Sequence, residues 1–208
     1  PESRRRMGVD VEHVRARNPK IIYARGHGYG PKGDAADRGG YDLASYWARG
    51  GIGDAYAPHD GGYPPFQRAA FGDLYGGLAI AAGITAALLK RERTGEPSVV
   101  DVSLLNAAIW QLGMDIVGAG VLGADLPKFP LTQMPNPAVN LYRTRDGRYL
   151  AFVLLQGDRF WADFCTRLGR PDLITDERYV DSAARFVNRE QCITELREIF
   201  AAQDLAHW

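Results

Sequence analysis

Asp73-Leu-Tyr-Gly-Gly-Leu-Ala-Ile-Ala-Ala-Gly-Ile-Thr-Ala-Ala-Leu-Leu-Lys-Arg91 is the stretch on which the fold turns. Leu74, Leu78, Ile80, Ala81, Ala82, Ile84, Ala87, Leu88 and Leu89 recur at helical spacing on nearly every side, which predicts a long core helix. An acid opens it at Asp73, Lys90, Arg91 and Arg93 close it, and Gly95 stands beyond; helix ends favour that order.

On the carboxyl side, Ser98-Val-Val-Asp-Val102 reads as a short strand and residues 104–117 as an apolar helix. On the amino side, Asp10 is placed to cap a short helix through Val11, Val14 and Ala16. Asn18-Pro19 ends that helix before Ile21-Ile22-Tyr23-Ala24, an apolar run that reads as a buried strand. Strand and helix thus alternate as in α/β domains. Two loops rich in glycine and proline, residues 26–40 and the stretch up to Arg68, flank a short helix at 41–48. Long loops gathered before one helix mark a place where function is built.

Residues 1–117 therefore read as part of a large α/β domain, residues 118–137, rich in glycine and proline, as a linker, and residues 138–208 as a small α+β domain. The last opens with a hairpin, Asn140-Leu-Tyr-Arg-Thr144, a turn at Asp146-Gly147 and a strand from Arg148. Helices follow at about residues 158–168 and 189–202, the first with Phe160, Trp161, Phe164 and Leu168 at core spacing.

With 25 basic and 25 acidic residues the net charge is zero, so no global field draws nucleic acid or an anionic membrane. The N-terminal stretch lacks the apolar segment of a signal peptide, and no run reaches the roughly 18 apolar residues of a membrane span, so a cytoplasmic location is expected. Cys165 and Cys192 lack ligand-like spacing and read as buried or idle thiols. The chain opens without an initiator Met and stops at Ala206-His207-Trp208, inside what reads as a new helix, so a fragment is expected.

Gly28-Tyr-Gly-Pro-Lys-Gly33 matches the dinucleotide fingerprint literally. Pro31 sits inside it, and no helical periodicity follows to present an N-terminus to a pyrophosphate, so it reads as a flexible loop. His13, His27, His59 and His207 are scattered, without metal-ligand spacing, and read as surface or loop residues; no metal is expected. There is no serine elbow and no catalytic setting for either cysteine. Asp73 is the informative carboxylate: it sits in the first helical turn, among Gly72, Gly76 and Gly77, which leave room for a ligand. A reachable carboxylate there can attack a thioester carbonyl, although on the residues alone a plain helix cap, among the commonest roles of aspartate, is the favoured reading.

Five blocks in order resemble the class III CoA-transferase (CaiB/BaiF) family, which includes formyl-CoA and carnitine CoA-transferases and the related alpha-methylacyl-CoA racemases. They are Arg6-Met-Gly-Val-Asp10, the stretch from Asn18 to Pro31, Arg38-Gly-Gly-Tyr-Asp42, Gly72-Asp-Leu-Tyr-Gly-Gly-Leu78 and Arg91 to Ser103; Asn136 to Arg148, Asp158-Arg-Phe-Trp161 and Leu168-Gly-Arg-Pro171 resemble the family's small domain. The resemblance implies part of a Rossmann-like large domain followed by a small α+β domain, in a fold whose chains form interlocked homodimers. It implies CoA, as a thioester co-substrate, moving between carboxylic acids through an aspartyl anhydride and an aspartyl-CoA thioester at Asp73. It places Arg6 and Met7 at the nucleotide end of CoA, and Tyr41 and Asp42 along the acyl site. The racemase branch carries a histidine where this chain has Tyr41, and a phenol is a poor base at neutral pH, so transfer is favoured over racemisation. A non-catalytic CoA-binding or structural fragment is the third alternative. The glycine-rich loop that formyl-CoA transferase closes over its aspartate has no counterpart; Leu131-Thr-Gln-Met-Pro-Asn136 occupies that region.

Overall fold

The structure, a computed structural model, describes residues 2–208. Along the chain it divides into two compact units, Pro1–Leu126 and Pro127–Trp208.

The first unit begins with α1 (Glu2–Arg6) and α2 (Val11–Arg17). Asp10 caps α2 as its sequence predicts, accepting the Val11 N–H at 3.0 Å. β1 (Tyr23–His27) begins at Tyr23 rather than Ile21, and so takes Arg25 and His27 into the strand. It pairs in parallel with β2 (Val99–Ser103), Tyr23 opposite Val99 and His27 opposite Ser103. The crossover between them carries a π-helical segment, Leu43–Ala48, then α3 (Ile52–Ala55) and α4 (Phe71–Thr94). α4 packs on both strands, and glycine sets how closely: a Cβ on Gly83 would fall 2.5 Å from Val100 Cγ1.

Ser103 ends the strand and starts α5 (Leu104–Gln111), its Oγ accepting the Asn106 N–H at 3.1 Å. The single helix expected over 104–117 is two. α6 (Gly113–Leu122) follows α5 after a 59° bend at Leu112, whose side chain turns to the cluster of Tyr46, Trp47, Ile52, Ala107 and Ala108. Gly118 to Leu122, expected in a linker, are therefore helical.

α4 is not the enclosed core helix its composition predicts. Gly72, Gly76 and Ala87 are buried, whereas Leu74 and Leu78 keep 75% and 68% of their surface exposed, because β1, β2 and α5 cover one side of it. α4 is long and apolar enough by length and composition to cross a membrane, although the uncharged run within it, from Leu74 to Leu89, is shorter than the span sought in the sequence. Its packing on the sheet is that of a helix in a folded domain.

In the second unit, β3 (Val139–Arg143) and β4 (Tyr149–Val153) form the expected antiparallel hairpin, with Gly147 at φ +76° in the turn. α7 (Gly157–Arg167), a 3₁₀ turn at Pro171–Ile174, α8 (Ser182–Val187) and α9 (Arg189–Ala201) complete it. Its core is aromatic and thiol-rich: Tyr142, Trp161, Cys165, Tyr179, Cys192 and Phe200 are all buried, and both cysteines are free. Arg185 is buried among them, stacked 4.4 Å over the Trp161 ring, paired with Asp158 and donating to the Tyr179 carbonyl.

Candidate active site

α4 starts under constraint. Ala70, just before it, holds φ +62° and ψ +18°, the one non-glycine residue in the left-handed region among the described residues. Such a backbone costs about 1–3 kcal/mol, and alanine offers no side-chain oxygen to cap the helix. The cap comes from a residue 30 positions earlier: both carboxylate oxygens of Asp42 accept the Gly72 N–H at 3.1 Å. Asp42 is 7% exposed. Gly72 admits no side chain, since a Cβ there would lie 2.3 Å from Tyr46 Cγ and 2.4 Å from Asp42 Oδ1. Tyr46 is itself buried and donates its hydroxyl to Gln111 of α5.

Asp73 comes next. Its side chain is exposed and enters no hydrogen bond or ion pair among the described residues. The capping role left open by the sequence is therefore not what this carboxylate does. Asp73 borders a cleft of about 310 Å³ walled largely by glycine, namely Gly26, Gly28, Gly40, Gly76 and Gly77, with His27 and Ile80 among the other lining residues. Walls without side chains let a bulky ligand come close to backbone.

His27, expected as a loop histidine, ends β1 as part of a charged chain. Its Nε2 lies 3.0 Å from Asp101 Oδ1, and Arg25 donates to the same carboxylate through Nε and, at 2.9 Å, through Nη2. The Arg25 hydrogen bond holds the Asp101 carboxyl below the ordinary carboxylate range. An ionised carboxylate only accepts, so His27 Nε2 carries the hydrogen. Part of the signal was present in the sequence: Arg25 and His27 alternate just after the apolar run Ile21–Ala24 and so share a face of an extended strand, and Asp101 interrupts the other strand.

Of the other predicted residues, Tyr41 is 86% exposed beside buried Asp42, while Asp42 is occupied with the Gly72 amide. Arg6 and Met7 are exposed on and just after α1, and neither lines the Asp73 cleft. Arg4 and Arg5 instead lie 3.7 and 3.6 Å from Asp10. The glycine repeat from Gly28 to Gly33 runs through bends and turns with no helix after it, as its proline predicts. No group of three or more His, Cys, Asp or Glu able to hold a metal ion occurs among the described residues. A second, apolar cleft of about 350 Å³ lies along α4 and α5, lined by Tyr75, Leu78, Ala82, Asn106 and Trp110 among others.

The family model for CoA-transferase family III matches residues 1–208. The chain is 34% identical over 206 residues to (R)-2-hydroxy-4-methylpentanoate CoA-transferase of Clostridioides difficile, covering 98% of this chain and 50% of that protein. It is 36% identical over 177 residues to cinnamoyl-CoA:phenyllactate CoA-transferase of Clostridium sporogenes, covering 84% of this chain and 42% of that one. A crystal structure of a CaiB/BaiF family protein from Brucella suis superposes with a TM-score of 0.83 at 27% identity, over 99% of this chain and 53% of the other. The chain thus spans about half the length of the curated relatives it matches. Continuous sequence match and shared fold agree, and the chain belongs to CoA-transferase family III.

Proposed function

We propose that this chain carries the acyl-transfer centre of a CoA-transferase that moves CoA between carboxylic acids, with Asp73 as nucleophile. The Asp73 carboxylate attacks the thioester carbonyl of an acyl-CoA, the C–S bond breaks, and CoA leaves as thiolate from a mixed aspartyl–acyl anhydride. The thiolate then attacks the aspartyl carbonyl, releasing the first acid as carboxylate and leaving an aspartyl-CoA thioester. The second acid's carboxylate attacks that thioester to form a new anhydride, and CoA thiolate takes the new acyl group, restoring Asp73. An anhydride conserves the activation of the thioester, provided water is kept from it.

One observation carries this reading: a carboxylate that is exposed and has no partner among the described residues stands at the start of α4 over a glycine-walled cleft. The relatives' names support the same chemistry and fit an organic acid and its CoA thioester as the substrates. Arg6 and Met7 are proposed at the nucleotide end of CoA, where a guanidinium pairs with phosphate, and Tyr41 beside the acyl group. For the intact protein we propose an interlocked homodimer, which the open leucine face of α4 and exposed Met114, Val117 and Val121 of α6 support. A reducing cytosol suits two buried, free cysteines.

Incubation of the intact protein with an acyl-CoA followed by hydroxylamine tests the reading. A hydroxamate at residue 73 is expected by mass spectrometry, and Asp73→Asn removes it. No adduct together with exchange of the substrate's alpha proton overturns transfer in favour of racemisation. No adduct with CoA still bound overturns it in favour of a non-catalytic binding module.

A further inference from the structure

Asp42 is not placed to act on the acyl group directly, because its carboxylate is buried and aimed at backbone. We propose that Asp42 is the positioning residue for the nucleophile: it takes over the capping of α4 and thereby leaves the Asp73 carboxylate free to react. This rests on Asp73 being the acyl carrier.

The argument starts from a conflict at the head of α4. An aspartate in the first turn of a helix ordinarily bends back to accept an amide hydrogen, and a carboxylate held that way is a poor nucleophile, its lone pairs occupied. The residue at the capping position, Ala70, has no side-chain acceptor, so the pull on Asp73 is strong. Asp42 removes it by offering both oxygens to the Gly72 N–H, one residue before Asp73. Three features support this arrangement. Gly72 lacks the side chain that would push Asp42 away, with Cβ space closed at 2.4 Å from Oδ1. Tyr46 closes the other side of Gly72 and is anchored on Gln111. Ala70 accepts a left-handed backbone, which turns the chain into α4 at the point where Asp42 meets it. Strain stored beside a reacting group and held by neighbours is a recurring way to preorganise it.

The test compares Asp42→Ala, Asp42→Asn and Asp42→Glu in the intact protein. Three measurements are made: the single-turnover rate of acyl capture at residue 73, the KM for acyl-CoA, and amide hydrogen exchange of the peptide spanning residues 70–74. Asparagine keeps an acceptor oxygen on Gly72, so Asp42→Asn is expected to hold exchange protection and most of the rate. Asp42→Ala is expected to lose protection and to slow capture roughly ten- to a hundredfold, the scale of losing one hydrogen bond to a charged group, with KM little changed. Asp42→Glu is expected to fall between them, because the added methylene has to be fitted against Tyr46. The proposal is overturned if Asp42→Ala raises KM and leaves the rate of capture intact, which would make Asp42 a substrate-binding residue. It is equally overturned if Asp42→Asn is as slow as Asp42→Ala with protection unchanged, which would require the charge and not the cap. If the unsubstituted protein forms no adduct at residue 73, the acyl-carrier reading fails. The exchange comparison then decides alone whether Asp42 holds the turn.

Discussion

Gly28 and Gly40 touch backbone to backbone: a Cβ on Gly28 would sit 2.6 Å from Gly40 Cα, and one on Gly40 would sit 2.8 Å from Gly28 Cα. The two residues close the glycine-rich loop on itself at the edge of the Asp73 cleft. The first glycine of the apparent dinucleotide fingerprint is thus required by a contact inside the protein and not by a bound pyrophosphate.

Gly28→Ala is accordingly expected to destabilise the first unit by about 1–3 kcal/mol, the usual cost of overpacking where backbone has to move. Denaturant titration checks this, and Gly33→Ala is the comparison. Gly33 has open space around it but φ +83°, so its cost comes from backbone strain alone.

Asp73→Asn should separate stability from activity. An exposed carboxylate without a partner among the described residues contributes to folding through the helix dipole, so a loss of about 0.3–1 kcal/mol in unfolding free energy is expected from denaturant titration. Acyl capture should vanish in the same sample.

The Arg25 hydrogen bond lowers the Asp101 carboxyl from its ordinary 3.8, so folding favours the ionised form. Stability from this cluster is complete above that value and is lost as pH falls through the lower folded one. Asp101→Asn is expected to be less stable than the unsubstituted chain at pH 7, and the gap between the two should narrow below pH ~4. Urea midpoints across that range decide it.

Burial pushes the Cys165 thiol up to about 11 and the Cys192 thiol up to about 12, from 9.0, and raises the Tyr142 and Tyr179 phenols above 10.0. In the unfolded chain these groups ionise first, so stability of the second unit is intact below pH 9.0 and falls as pH climbs toward the folded values. Circular dichroism should report its unfolding together with the thiolate absorbance. Thiolate appearing near pH 9.0 with native ellipticity retained would contradict the buried assignment.

Features governed by neighbours along the chain were legible in the sequence. Asp10 capping α2, Asp146-Gly147 turning the hairpin, Gly95 ending α4 and Trp161 facing a core all follow from spacing and side-chain chemistry within a few residues. Asp73 could be located but not characterised, because its freedom depends on Asp42, which lies 30 residues away from Gly72. For His27 the alternation with Arg25 was visible in the sequence, but the pairing with Asp101, 74 residues distant, was not. The short helix read at 41–48 is there at Leu43–Ala48, but its π-helical form was not legible, and it buries the consecutive Ser45, Tyr46 and Trp47, a set that α-helical spacing does not anticipate. The break at Leu112 was likewise hidden, since the pull on its side chain comes from Tyr46 and Ile52.

The parallel pairing of β1 with β2 also sets a timetable. Arg25 leaves the ribosome 76 residues before Asp101, which at typical synthesis rates leaves the first strand waiting about 4–15 s. During that interval the edge of Tyr23–His27 that pairs with β2 keeps its amides open to other nascent chains. Slower translation between the two strands is therefore expected to raise aggregation, which expression with rare codons between residues 28 and 98 would show as a smaller soluble fraction.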